Sequence, residues 1–265
     1  FVKELSRWPF TALTGVNTLF QSLVRNPEFA KLDFSTLKVV SAGGMATQEA
    51  TARAWTEVTG THIVEGYGLS ETSPVVSSNP LDLEAFNGSI GLPLPGTEIA
   101  IRDEQGSEVG LGEVGELFVR GPQVMLGYWN QPDETANVLG TDGFLETGDV
   151  VTIDGRGYLK IVDRKKDMII VSGLKVYPNE VEQTVTQHPD VLEAVCVGVP
   201  DPESGEKVKL FVVLRPGSAL TPESLRAWCK ENMTAYKVPH QIVLRDSLPK
   251  SNVGKILRRE LRDEE

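Results

Sequence analysis

Apolar residues at Val16, Leu19, Phe20 and Leu23 recur at three- and four-residue spacing, which predicts a helix over 12–24. An apolar run at 37–41 predicts a buried strand leading into Ala42, Gly43 and Gly44. Helical spacing returns over 48–58 and stops at Gly60. A short strand predicted over 62–65 delivers Gly66-Tyr67-Gly68. Strands and helices in alternation imply an α/β sheet with loops at the strand ends.

The texture changes near residue 86. Short strand candidates at 98–102, 115–120 and 158–162 are separated by Gly and Pro turns, the pattern of a small antiparallel sheet or distorted barrel. From 163 onward the pattern is compact α+β, with strands at 168–171, 194–199 and 208–214 and helices at 178–187 and 222–232. Thr221 serves as N-cap of the last, with Pro222 in its first turn. The expected fold class is α/β. A partial α/β sheet subdomain (1–85) and a small antiparallel β-barrel-like subdomain (86–162) precede a small α+β C-terminal lid domain (163–265). The charged stretch 163–167 marks the boundary.

Composition narrows the function. With 265 residues, 40% of them hydrophobic, the chain can bury a sizeable core, and its length favours two domains. Lys and Arg number 26 against 37 Asp and Glu, a formal charge of −11. Such a chain is a poor partner for nucleic acid, so none is expected. Locally basic segments at 163–166 and 255–259 read by themselves as solvated surface. Cys196 and Cys229 stand far apart with only three His, which gives no metal spacing and points to a reducing, cytoplasmic setting. No apolar run approaches the ~20 residues needed to cross a bilayer. The first residues, Phe1 to Arg7, lack an initiator Met and an apolar signal region, and read as the middle of a longer protein.

Four constellations carry chemistry. In Glu65-Gly66-Tyr67-Gly68-Leu69-Ser70-Glu71-Thr72-Ser73-Pro74, an aromatic ring can stack on a base, hydroxyls can bond phosphate oxygens, and Glu71 can hold Mg²⁺. In Asp142-Gly143-Phe144-Leu145-Glu146-Thr147-Gly148-Asp149, a carboxylate on a tight turn can take both ribose hydroxyls. The run Asp163-Arg164-Lys165-Lys166-Asp167 between strands suits a hinge. Lys255, after Gly254 in a loop before a helix, can neutralise charge between a carboxylate and a phosphate. Each also reads alone as an ordinary turn or surface loop.

In this order the four resemble the adenylate-forming superfamily, and most closely its bacterial long-chain fatty acid–CoA ligases. Further support comes from Gly115-Glu116-Leu117, from 120–129 (Arg-Gly-Pro-Gln-Val-Met-Leu-Gly-Tyr-Trp) and from Val176-Tyr177-Pro178-Asn179-Glu180-Val181-Glu182. The resemblance covers essentially the whole chain. It implies nucleotide binding by Gly66, Tyr67, Gly68, Ser70, Asp149 and Arg164, with Ser70 where most members have Thr. It implies Glu71 as Mg²⁺ ligand, Lys255 as the lysine of adenylation (with Ser70 and Glu71 sharing in catalysis), and Lys166 as the hinge. Gly43 and Gly44 would flank the acyl pocket, and Ser172 and Gly173 the CoA channel. The implied substrates are a fatty acid, ATP and CoA.

The family's Ser/Thr/Gly-rich phosphate loop is not found in this sequence, so the chain is expected to represent the C-terminal half and to be inactive alone. Its first partner would be the missing N-terminal half. A cytoplasmic enzyme lying peripherally on the inner membrane is expected. The rivals are a fatty acyl-AMP ligase that loads a carrier protein, a luciferase-like oxygenase and a non-catalytic binding module. No insertion stands between Gly143 and Val171, which favours CoA over a carrier protein.

Overall fold

A computed structural model describes residues 1–252, 254–262 and 264; Val253, within the Lys255 constellation, lies outside the described residues. The chain divides into two compact units, Phe1–Ile161 and Val162–Glu265.

The first unit opens with helix α1 (Val2–Leu5), strand β1 (Ala12–Gly15) and helix α2 (Asn17–Val24). Strand β2 (Val39–Ala42), helix α3 (Glu49–Thr59) and strand β3 (Ile63–Gly68) follow. β1, β2 and β3 run parallel, so their carboxyl ends share one edge of the sheet. The helix expected over 12–24 therefore starts late. Ala12–Gly15 pairs with Val39–Ala42 instead, Leu13 being buried by the strand's alternation. Gly15 lets α2 pack close, since a Cβ there would lie 2.8 Å from Leu19 Cδ2. α2 buries Asn17, Phe20 and Leu23 on one face. Phe20 meets Trp55 of α3 edge-on with centroids 5.0 Å apart, and Phe29 joins at 5.4 Å. α3 ends as expected at Gly60, in the left-handed conformation.

Short strands β4 (Val75–Ser78) and β5 (Leu92–Pro93) extend this sheet antiparallel. A second sheet has the order β6 (Glu98–Arg102), β7 (Gly115–Arg120), β8 (Leu145–Ile153), β9 (Leu159–Arg164). Helix α4 (Pro132–Val138) stands in the connection before β8. The β6–β7 and β7–β8 pairs are antiparallel. The path is an open sheet of four strands and, among the described residues, does not close into a barrel. Leu117, Val119, Val151 and Leu159 form its core with Val76 of β4.

The second unit holds a sheet in the order β11 (Leu174–Val176), β10 (Ile169–Val171), β13 (Gly205–Leu214), β12 (Val191–Asp201), with β14 (Gln241–Arg245) parallel to β13. Helices α5 (Pro178–Val185) and α6 (Pro222–Asn232) cover one face through Val181, Val185, Leu225 and Cys229. Helix α7 (Arg258–Arg262) covers the other through Leu261 against Val195, Val197 and Phe211. Successive strand residues point to opposite faces, so two covered faces explain the unbroken apolar runs of β12 and β13. Among the described residues no helix is long and apolar enough to cross a membrane.

Candidate active site

β3 delivers the first constellation at the shared carboxyl edge, where open α/β sheets bind ligands. After Gly68 the chain turns through the 3-10 segment Ser70–Thr72. Thr72 is fully buried; its hydroxyl reaches Pro74 O at 2.7 Å and accepts from Leu69 N–H at 3.1 Å. Gly68 has a structural reason of its own, because a Cβ would lie 1.8 Å from Pro74 O. Gly43 stands beside the same strand, with a built Cβ 3.7 Å from Gly66 O, and Gly44 follows with φ +79°.

Composition predicts a tight turn at Asp149, but the residue stands within β8, just after Gly148. That glycine takes φ +71° where the β7–β8 register shifts between Glu116 and Phe118. This is a bulge, which bends a strand and re-aims a side chain. Glu116 Oε1 accepts from Gly148 N–H at 3.1 Å, and Thr147 Oγ1 donates to Leu117 O at 2.7 Å, so the irregularity is pinned on both sides. Asp149, only 5% exposed, accepts the Tyr67 hydroxyl at Oδ2, 2.6 Å away. Two residues 82 positions apart thus form one paired group.

Ser70 is exposed and its hydroxyl makes no hydrogen bond among the described residues. Glu71 accepts the Tyr128 hydroxyl at Oε1, 2.7 Å, and its backbone carbonyl accepts from Met125 N–H at 2.8 Å. The Glu71 carboxylate holds the Tyr128 phenol above its ordinary pKa, chiefly through this bond. Tyr128 is in turn fixed by its N–H to Thr135 Oγ1, 2.9 Å, from α4. In the sequence Tyr128 counted only as part of the 120–129 segment that supports the resemblance. Glu65 opens the first constellation but carries no role in the sequence reading. It is 7% exposed, and burial pushes its carboxyl up to about 7, against the opposing bond from Thr47 N–H at 2.8 Å.

The first unit therefore gathers Gly43, Gly66, Tyr67, Gly68, Ser70, Glu71 and Asp149. Gly44 lies in the same unit, and the remaining expected residues belong to the second unit. Arg164 ends β9, its N–H on Asp163 Oδ1 at 2.7 Å. Lys166 is exposed on the 3-10 turn Lys165–Asp167. Ser172 and Gly173 form the exposed tip of the β10–β11 hairpin, with φ of +50° and +80°, the two-residue turn that strand twist favours. Lys255 is exposed on a small loop closed by Ser251 N–H to Lys255 O at 2.8 Å.

Residues 1–129 match the model of the AMP-binding enzyme family, and residues 180–255 match that of the AMP-binding enzyme C-terminal domain. The chain belongs to the AMP-binding enzymes. It is 60% identical over 264 residues to a long-chain-fatty-acid–CoA ligase of Yersinia pestis, covering 100% of this chain and 47% of the relative. A second such ligase, from Escherichia coli O157:H7, is 57% identical over 263 residues, covering 99% and 46%. Among solved structures, ATP-bound MatB from Rhodopseudomonas palustris superposes with TM-score 0.93 at 32% identity, over 99% of this chain and 53% of that one. The chain thus spans about half the length of the curated relatives it matches, and the resemblance seen in its motifs holds across all of it. Within the AMP-binding family the two matched segments correspond to the two units: the first lies inside Phe1–Ile161, the second inside Val162–Glu265.

Proposed function

We propose that this AMP-binding chain contributes the nucleotide edge and the adenylation lysine of a long-chain fatty acid–CoA ligase. One observation carries the reading. A single loop at the carboxyl edge presents a ring bonded to Asp149, an uncommitted Ser70 hydroxyl and the braced Glu71 carboxylate. The fatty acid and CoA are inferred from the named relatives.

In the first half-reaction a fatty carboxylate oxygen attacks the α-phosphorus of ATP, and the bond to pyrophosphate breaks. Tyr67 offers its ring to the adenine. Asp149 accepts from the ribose hydroxyls, and Arg164 assists on the ribose or phosphate side. Ser70 donates to an α-phosphate oxygen. Lys255 lowers the repulsion between carboxylate and phosphate, a stabilisation needed only while negative charge approaches negative charge. In the second half-reaction the CoA sulfur attacks the acyl carbon, the thiol proton is lost and AMP departs. That step has no use for the lysine, so a lid turning at Lys166 would swap Lys255 for the Ser172–Gly173 hairpin, beside the CoA channel. Gly43 and Gly44 leave room along the acyl side.

Mg²⁺ fits Glu71. Its Oε1 is occupied by Tyr128, its Oε2 meets no donor among the described residues, and a carboxylate oxygen is a hard ligand. No group of three metal-holding side chains occurs among the described residues, so phosphates and water would complete the shell. When bound, the ion offsets charge on the phosphate oxygens.

The test uses the intact enzyme with Lys255→Ala. Acyl-AMP formation should fall by about 100-fold or more, the scale of removing one preorganised charge-stabilising group. Supplied acyl-AMP should still pass to CoA. Equal loss in both halves would remove Lys255 from the adenylation step. The chain by itself, which carries no Ser/Thr/Gly-rich phosphate loop, should form no acyl-AMP in the same assay.

A further inference from the structure

Lys255 sits on a small loop closed by Ser251 N–H to Lys255 O, and its side chain is exposed. Just beyond that loop lies a polar cluster. Arg258, three residues on, grips both carboxylate oxygens of Glu182, at Nη1 to Oε1 and at Nη2 to Oε2 (2.9 Å). The same guanidinium donates to Cys196 O at 3.0 Å and to Asn179 Oδ1 at 3.0 Å. A planar fork that meets four acceptors at once is fixed in orientation, which a lysine could not reproduce.

Asn179 is the junction. Its Nδ2 donates to Val162 O at 3.2 Å, and its backbone N–H donates to Asp163 Oδ2 at 2.7 Å. That N–H belongs to the first turn of α5, where Tyr177 supplies no side-chain cap, so the remote Asp163 satisfies an otherwise orphaned helix donor. Asp163 is 2% exposed and holds Arg164 N–H through its other oxygen. One connected set of bonds runs from Arg164 through Asp163 and Asn179 to Arg258, three residues along the chain from Lys255.

We propose that Arg258 is a positioning residue for adenylation: it locks the Lys255 loop to the segment Val162–Arg164, so that the lysine and Arg164 turn as one rigid piece. Other anchors support the loop's base. Leu248 and Ile256 pack in the core beside α7, and Lys250 pairs with Glu193 at 2.7 Å. They hold the loop on the sheet, while Arg258 joins it to β9. The inference rests on the reading of Lys255 given above. It adds that a mobile domain needs an inflexible connection between its pivot and its working side chain, because a displacement of about 1 Å can cost about 100-fold in rate.

The test uses the intact enzyme. Arg258→Met alone leaves the Glu182 carboxylate unpaired and buried, so it is combined with Glu182→Gln; Asn179→Ala cuts the junction alone and leaves the ion pair. Both variants should lower kcat for acyl-AMP formation, by up to about 100-fold. KM for ATP and the rate of acyl-AMP conversion to acyl-CoA should stay unchanged. Hydrogen exchange should quicken at the amides of Ser251 and Gly254, which close the loop, while β13 keeps its protection. Arg258→Lys, which retains the charge towards Glu182, should recover part of the rate. Unchanged adenylation in both variants, or equal loss in both half-reactions, would overturn the proposal. Lys255→Ala run in parallel separates the two readings: if it keeps adenylation, the function assigned to Lys255 fails; if it loses adenylation while the Arg258 and Asn179 variants do not, only the locking role fails.

Discussion

Glu65 is the residue whose behaviour is set most sharply by its surroundings. Burial lifts its carboxyl from 4.5 to about 7, so between these values the folded chain holds a proton that the unfolded chain has released. Its contribution to stability is therefore fullest below about pH 4.5 and is lost as pH rises through about 7. The loss is on the order of 3 kcal/mol, taking 1.36 kcal/mol for each pH unit of displacement. Glu65→Gln keeps an oxygen for Thr47 N–H and cannot ionise. Its stability relative to the parent should rise between about pH 5 and pH 8, read from urea unfolding at both ends. A constant difference would mean that Glu65 is already ionised when folded. The Tyr67–Asp149 bond is a second residue-scale case. Tyr67→Phe should cost about 1.5–3 kcal/mol in urea unfolding, the range for a hydrogen bond to a charged group. It should also weaken ATP binding by the intact enzyme. Tyr67, Ser70, Glu71, Asp149 and Lys255 stand out in the sequence because each sits in a motif. Glu65, Tyr128 and Arg258 lie in the same motif stretches without a role of their own there, because their meaning comes from Thr47, from Glu71 and from the Asn179–Glu182 pair, which only folding brings near.

Among the elements, those with a helical stripe and a clear stop were legible; α3 runs to Gly60 and α6 starts at a true Thr221 cap, whose hydroxyl accepts from Ser224 N–H at 3.2 Å. β8 was not, because its composition is that of a turn and its bulge places Gly148 inside a ladder. β1 was hidden by the apolar spacing of the helix behind it. β5 was hidden by its length of two residues, yet it is held tightly. Gly91, just before it, has φ +88°, and a Cβ there would come within 1.9 Å of Ser78 C. Backbone faces backbone, so no side-chain motion relieves the clash. Gly91→Ala should destabilise the first unit by about 3 kcal/mol or more, at the upper end for single substitutions. Thermal unfolding followed by circular dichroism would measure it. A loss below about 1 kcal/mol would mean that the β4–β5 pair yields easily.

Across the whole molecule, each unit owns a hydrophobic core, Phe20 and Trp55 in the first and Leu210 and Phe211 in the second. Separate cores should melt as separate cooperative transitions, since two-state behaviour belongs to single domains. Phe20→Ala should lower the transition of the first unit by about 3–5 kcal/mol, and Leu210→Ala that of the second by about 2–5 kcal/mol, each sparing the other. Calorimetry distinguishes this from one merged transition that both substitutions shift. The division into a sheet-building part and an α+β part was legible because hydrophobic periodicity and turn density both change along the chain. The bonding that ties Val162–Arg164 to α5 was not, since the charged run 163–167 reads as solvated while Asp163 is among the most buried carboxylates of the described residues.

β9 carries a further consequence. Its start, Leu159, is wholly enclosed in the first unit's core, and Asp163 near its end caps a helix of the second. Lys165 and Lys166 stand exposed just beyond. Trypsin offered the native chain should find this site early, and each product would keep a complete core. The cut also transfers ownership: Asp163 leaves with the first fragment, while the amide it satisfies stays with the second. The liberated second fragment should then show its earliest fraying at the first turn of α5, around Asn179, rather than at its new amino terminus.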